Sequence, residues 1–595
     1  MGRTQPPRAP RRRVLVAAAI GDCAHVAGLH GMIRIARQAG WECHMLGPAV
    51  TVERVIKAVQ EVNPELVALS YRLSPQAGKE VLADFWQQAQ AARITEGRRF
   101  AFGGTPPVAR EACKLGFFEA IFDGSETPRQ VYDYLAARTS GAAALSYPST
   151  LAERIEAARP WPIFRHHFGQ PSYEATLAGV AELAESGVLD VISLGIDQNT
   201  QEHFFHPEAK DPRQRGAGGV PVDTPEQFRA LYEASRRGNY PLMRCYSGTR
   251  DLIRMQAMLL ETINLAWAAI PLTWYSVLDG RSQRGLRQTI VEAQEVMRWL
   301  SERKVPVEMN ESHHWSLRDA HDVVAVVMAF LAAYNAKQAG VRDYVAQYMF
   351  NTPPLTSFRM DLAKMLAKVA LIESLEEEGR FRVFRETRTG LRSLPLDMDE
   401  GKGHLGASVF LQMALHPDIV HVVAYCEADH AATVPEIVES VKMARGAIAD
   451  ALGGMPDLAA DPVVMARRDH LLKEARVLLS GIAALADTGT ADEPDSNDSK
   501  DPFTDPDVLT RAISLGLIDA PHLAGNPAPE ACGRVVTNVV DGAYEAIDPA
   551  TGRVLSEEER ITRILRERDP ASYRRFRGGE AEAWVERLWP AALVP

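Results

Sequence analysis

From Val14 to Tyr425 the chain repeats one pattern: a short apolar run followed by an amphipathic stretch. The first run, VLVAAAI, is of strand length and reads as a strand buried on both faces. Stretches such as Thr51–Val62 and Gln76–Gln90 carry helical periodicity. A chain that alternates strands with helices builds parallel sheets covered by helices.

The repeat has two spacings. Over residues 14–140 the predicted strands are Val14–Ala19, Trp41–Leu46, Leu66–Ser70, Arg99–Phe102 and Glu119–Phe122. Five strands with their helices predict a doubly wound parallel sheet. Residues 141–159 read as a connection. Over residues 160–486 the predicted strands are Val188–Gly195, Pro241–Tyr246, Leu272–Val277, Val305–Met309, Val345–Phe350, Phe381–Glu386 and Val420–Tyr425, with an eighth hidden near Trp161–Phe164. That pattern predicts a (β/α)8 barrel, with a second open sheet as the alternative. The fold class is therefore α/β: a doubly wound domain, then a barrel, then a small C-terminal domain.

The ends and joints read differently. Residues 1–13, MGRTQPPRAPRRR, are basic and proline-rich and are expected to be a disordered tail. Residues 487–507 are acidic, poor in apolar groups, and read as a linker. Residues 508–595 form the small C-terminal domain, with a hairpin expected at VVDGAYEA.

At 595 residues the chain is too long for one domain. A net charge of −11 argues against nucleic acid as a partner. No apolar run reaches the length of a membrane span. The six cysteines are scattered, with no CxxC pair, as expected of reduced thiols in a cytoplasmic protein. The expected partner is a small-molecule substrate, and the reading allows a homodimer.

The loop after the first strand, GDCAHVAGLHG, places His25 between glycines, beyond the carboxyl end of a strand. Ligands of doubly wound folds sit there. His25 and Gly28 form an HxxG, and Asp22 precedes them. Ser70 ends a later strand and is followed by Tyr71, Arg72 and Leu73; Gly103 and Gly104 end the next. His30 reads as a surface residue of the following helix.

This three-part spacing resembles the cobalamin-binding domain of B12-dependent mutases and methionine synthase, whose motif is DxHxxG, then SxL, then GG. The resemblance covers about residues 14–138. It implies that His25 is the lower ligand of cobalt and that Asp22, Gly28, Ser70, Leu73, Gly103 and Gly104 hold the cofactor. In the family the displaced nucleotide tail runs into the sheet, past the serine and against glycine backbone. A carboxylate orients the histidine and raises its basicity. Two departures stand out: Asp22 lies three residues before His25 rather than two, and SxL becomes Ser70-x-x-Leu73. Either the loop bulges and the Asp22–His25 hydrogen bond survives, or it is lost.

A cobalamin domain followed by a barrel is similar to the glutamate mutase (methylaspartate mutase) group. Tyr240-Pro-Leu-Met-Arg-Cys-Tyr-Ser-Gly-Thr-Arg-Asp251 and Val420 to Met443 carry that likeness. No counterpart of that family's three substrate-gripping arginines is evident, which leaves the substrate open. The resemblance implies adenosylcobalamin as cofactor, a radical isomerisation, and a cobalamin face that caps the barrel mouth. Polar residues crowd the predicted strand ends, among them Asp197, Tyr246, Tyr275, Asn351, Glu427, Asp429 and His430. The candidates for catalysis are Arg244 for a substrate carboxylate, with Glu311 or His314 for a second polar group. Glu386 and Arg388 read alternatively as a surface ion pair, and His166–His167 as a metal pair. Rival readings are a corrinoid-dependent methyltransferase and a non-catalytic cobalamin-binding sensor.

Overall fold

The computed structural model describes residues 13–126, 128–136, 147–246, 248–486, 501–579 and 581–589. The chain divides into two compact units, residues 1–145 and 146–595.

The first unit is a five-stranded parallel sheet: β1 (Val14–Ile20), β2 (Glu42–Val50), β3 (Leu66–Tyr71), β4 (Arg99–Gly104) and β5 (Ala120–Phe122), ordered β2-β1-β3-β4-β5. Leu15 through Ile20 are fully buried, which explains the unbroken apolar run. Strand order reverses at β1 and β3, so the loops after Ile20 and Tyr71 open a crevice at the carboxyl edge. The helix Ala27–Gln38 lays Leu29, Ile33 and Ala36 on the sheet.

The second unit contains eight parallel strands: β6 (Ile163–Phe168), β7 (Val191–Leu194), β8 (Leu242–Cys245), β9 (Ala268–Ile270), β10 (Val307–Met309), β11 (Asp343–Phe350), β12 (Arg382–Thr389) and β13 (Ile419–His421). Their order is β8-β7-β6-β13-β12-β11-β10-β9, and a parallel bridge from Tyr246 to Ala269 joins the two ends of the sheet. The result is a near-closed barrel. The expected strand at Leu272–Val277 lies earlier, at Ala268–Ile270. Pro271 has no N–H for a ladder, so the strand stops before it. Leu272 and Trp274 are buried as loop residues instead.

The barrel interior is layered by the two-residue period of its strands. Leu151 and Ile155 of the helix Leu151–Ala158 pack with Ile163, Val191, Leu242, Trp267, Val345, Phe384 and Ile419 to form an apolar floor. That helix lies in the stretch read as a connection. One layer up, the inward residues include Arg165, Arg244, Glu308, Gln347, Glu386 and His421, all buried.

Residues 508–595 share the hydrophobic core of the second unit: Val508, Leu509, Ile513, Leu517, Ile561 and Leu565 join the same cluster as Leu471 and Leu478 of the helix Pro462–Ala483. The hairpin is β14 (Thr537–Val540) with β15 (Ala543–Ala546), turning at Asp541 and Gly542. Of the acidic stretch 487–507, residues 487–500 lie outside the described residues, as do residues 1–12. The remainder is anchored: Phe503 is fully buried and Asp501 accepts from the Tyr334 hydroxyl at 2.6 Å. Among the described residues no helix is long and apolar enough to cross a membrane.

Candidate functional site

In the first unit the three motif elements meet at one edge. Register pairs Ala19 with Ser70, Ser70 with Gly103, and Tyr71 with Gly104. His25 stands exposed in the loop from β1 to its helix, beside an exposed Gly28, and His30 is exposed on that helix. Leu73 leaves 43% of its surface exposed just past β3. The two glycines of β4 differ. A Cβ on Gly103 would meet nothing within 4 Å, so this backbone borders open space. A Cβ on Gly104 would come within 2.8 Å of the Tyr71 carbonyl, so packing alone requires glycine there. Gly103 therefore leaves room for a ligand to lie on the strand.

Asp22 does not turn to His25. Its Oδ1 accepts from the Tyr71 hydroxyl at 2.9 Å. Burial and this carboxylate push the tyrosine up to about 12. The extra residue between Asp22 and His25 thus leaves the aspartate tied to the sheet.

In the barrel, the middle layer is a buried charge network. Arg165 Nη1 donates to Glu308 at 2.9 Å and to Glu386 at 3.0 Å. Trp267 Nε1 donates to Glu308 at 2.6 Å, and Gln347 donates to both glutamates. Burial alone would raise Glu308, but Arg244 and Arg165 overcome it and hold the carboxylate below its usual range. Glu386 goes the other way, raised by burial and by repulsion from Glu308 against the pull of Arg165.

Arg244 is buried in this layer, with Nη2 2.8 Å from Glu308 Oε2. Its three guanidinium nitrogens make no aligned hydrogen bond. Glu311 sits elsewhere in function. It is fully buried and accepts from the Leu272 N–H at 2.9 Å, the Thr273 N–H at 3.1 Å, Trp315 Nε1 at 3.0 Å and the Thr273 hydroxyl. Burial raises it despite these donors. It replaces a neighbouring strand as partner for the loop after β9.

His314 is 8% exposed, and Arg318 approaches its Nδ1 at 3.4 Å. As the ring accepts there, its proton belongs on Nε2. Burial and the positive charges of Arg318, Arg281 and Arg388 hold it well below the usual histidine range. His313, His167 and His421 are depressed likewise, by burial first and then by neighbouring cations. All four are neutral near pH 7. Tyr246 stacks on His167 with ring centroids 4.9 Å apart.

Two alternative readings are corrected. Glu386 and Arg388 are not a surface ion pair, because Glu386 is buried against Arg165 and Gln347. His166 and His167 are adjacent on β6, so their side chains take opposite faces. His166 Nε2 lies 3.0 Å from Glu427, while His167 faces Arg165 inside the barrel at 3.1 Å. Their rings therefore do not converge on one ion.

Arg388, which the sequence offered only as a surface partner of Glu386, is the residue around which the mouth is built. Its charge acts on His167, His313, His314, His421 and Glu427. Among the described residues it has no carboxylate partner, and its Nε donates only to the Thr389 carbonyl at 3.4 Å. Its place two residues beyond Glu386 on one strand face was the signal available.

A family model described as B12 binding domain matches residues 13–131. No curated protein sequence matches the chain. Among solved structures, a novel cobalamin-binding protein from Desulfitobacterium hafniense DCB-2 is 23% identical over 20% of this chain and 56% of its own, with a TM-score of 0.19. The chain thus spans little more than half the length of that protein. A GH138 enzyme targeting pectin rhamnogalacturonan II is 10% identical over 96% of this chain and 71% of its own, with a TM-score of 0.32. The cobalamin-dependent S-adenosylmethionine radical enzyme OxsB is 9% identical over 97% and 83%, with a TM-score of 0.18. These structural likenesses carry no argument. The family match, with the sheet and its carboxyl-edge site, defines a B12-binding domain joined in one chain to a parallel eight-stranded near-barrel. Cobalamin is the cofactor class of the first unit.

Proposed function

We propose that the protein is an adenosylcobalamin-dependent isomerase, a carbon-skeleton mutase that rearranges a small polar acid. The observation that carries this reading is Arg388: a guanidinium without a carboxylate partner among the described residues, set among four neutral histidines, three buried and His167 half-buried, at the carboxyl ends of the barrel strands. A cation so placed calls for an anionic ligand, and its planar fork suits a carboxylate.

His25 would hold the cobalt from below, and Ser70, Gly103 and Gly104 would hold the nucleotide tail. When bound, adenosylcobalamin supplies a carbon-centred radical by homolysis of its cobalt–carbon bond. The chain's own residues do the rest. Arg388 grips the substrate carboxylate, and Arg244, paired with Glu308 through Nη2, turns its remaining donors to the same anion. His314 offers Nε2–H to a second polar group. Glu311 drops out of the substrate-binding set, since its oxygens already serve the loop after β9. Cys245, beside Arg244, points by strand alternation into the outer core, away from the reacting centre, where a thiol would quench a radical.

The test is anaerobic incubation with adenosylcobalamin and a panel of small amino and hydroxy acids, followed by electron paramagnetic resonance. A coupled cobalt(II)–organic radical signal is expected with at least one acid, and Arg388→Gln should lose it while retaining cobalamin. If no acid gives the signal and methylcobalamin instead supports methyl transfer to an acceptor, the isomerase reading is wrong.

A further inference from the structure

The loop after β13 carries a second constellation, outside the substrate-binding set. Two backbone hydrogen bonds fold it: the N–H groups of Asp429 and His430 both donate to the Cys426 carbonyl, at 2.9 and 3.1 Å. This turn carries His430 back over Cys426. The helix Val434–Leu452 then begins with Thr433 as its cap, and Glu436 closes the capping box. Only one oxygen of Glu436 is used there: Oε2 accepts from the Thr433 N–H at 2.8 Å and its hydroxyl at 2.7 Å. Oε1 is left facing His430 Nε2 at 2.9 Å. The ligand atoms of Cys426, His430 and Glu436 all lie within 4.8 Å of one another.

We propose that Cys426, His430 and Glu436 bind a zinc(II) ion. Sulfur, imidazole and carboxylate together form a donor set that suits zinc and suits calcium or magnesium poorly. A thiolate and a carboxylate balance the charge of the ion. Three protein ligands leave a fourth tetrahedral position for water. The surroundings are arranged as a metal-binding histidine requires: Asp429 Oδ2 lies 2.8 Å from His430 Nδ1, which fixes the ring and turns Nε2 to the ion. A surface His–Glu pair would need neither that second carboxylate nor a thiol buried beside it. The ion would pin the loop that carries Glu427, whose Oε1 lies 3.0 Å from His166.

The experiment uses the full chain, stripped with a chelator, dialysed, and supplied with zinc alone. Zinc is counted by mass spectrometry after gel filtration, and affinity is measured by competition with a chromophoric chelator. One zinc per chain is expected, with an X-ray absorption spectrum showing one sulfur at about 2.3 Å and N/O ligands at about 2.0–2.1 Å. His430→Ala removes an exposed side chain and should abolish this binding with the circular dichroism spectrum unchanged. Asp429→Asn should weaken it about 10–100-fold. The proposal is overturned if the parent chain takes up no zinc, if the bound zinc has no sulfur neighbour, or if His430→Ala and Cys426→Ser hold zinc as tightly as the parent.

Discussion

The Tyr71 hydroxyl donates to Asp22 Oδ1 at 2.9 Å, so the aspartate of the cobalamin loop is tied to β3 rather than to His25. The one-residue insertion before His25 has a physical consequence: the histidine proposed to hold cobalt stands exposed without a carboxylate to orient it. Asp22→Asn keeps an acceptor for Tyr71. It should change cobalamin affinity by less than about threefold, short of the 10–100-fold that loss of an orienting carboxylate costs. Equilibrium dialysis with cobalamin checks this, and a tenfold loss would mean that Asp22 serves His25 after all.

The two glycines at the end of β4 should separate binding from folding. Gly103→Leu places a side chain in space where nothing now lies within 4 Å. It should lower cobalamin affinity at least about tenfold with the unfolding midpoint unchanged. Gly104→Ala drives a methyl to 2.8 Å from the Tyr71 carbonyl and should destabilise the first unit by about 1–3 kcal/mol. Thermal unfolding alongside dialysis distinguishes the two.

Glu311 and Arg388 should behave oppositely. Glu311→Ala leaves two backbone N–H groups and the Trp315 indole without their buried acceptor, and should cost about 3 kcal/mol or more. Arg388→Gln removes a cation that has no carboxylate partner among the described residues. It should leave stability within about 0.5–1 kcal/mol and abolish substrate turnover. Urea unfolding read beside the radical signal tests the pair. A stable, inactive Glu311→Ala variant would return Glu311 to the substrate.

Acid should loosen the barrel. His167, His313, His314 and His421 have folded pKa values well below their unfolded ones, burial being the main cause. The unfolded chain therefore binds more protons, and stability falls as pH drops below about 6.5, by up to about 1.4 kcal/mol per histidine per pH unit. Glu386 is raised, so its contribution has the opposite sign: stability is lost as pH rises through its folded pKa. Glu311, Asp361 and Asp418 are raised by burial as well and act with Glu386, while His404 is lowered and acts with the histidines. The four imidazoles, each held well below the usual range, outweigh the carboxyls and leave the net slope positive. Unfolding midpoints at pH 5, 6 and 7 should rise in that order, less steeply in His313→Gln.

Much of this architecture is legible in the sequence because parallel strands are buried on both faces and read as apolar runs. The exceptions are instructive. β6, Ile163–Phe168, hides because its inward residues are Arg165 and His167, which break the pattern. β9 is only three residues long, and the apolar loop beyond Pro271 mimics a strand. The charged layer could not be read at all: Arg165 meets Glu308 and Glu386 across 143 and 221 residues of sequence. Glu311 looked like a substrate ligand because sequence shows a carboxylate at a strand end but not the amides that fill it. The cobalamin motif was readable because its parts sit at the ends of β1, β3 and β4, where spacing along the chain tracks spacing in the sheet.

His25 as the ligand of cobalt is the step on which the cobalamin chemistry proposed above depends most. Electron paramagnetic resonance of the full chain loaded with cob(II)alamin reads that ligand directly, through the splitting that one axial nitrogen imposes on the cobalt lines. Protein labelled with 15N-histidine should show each line split into two, where unlabelled protein shows three. Lines that remain threefold in the labelled protein would mean that the axial nitrogen belongs to the vitamin's own base, and would contradict the account.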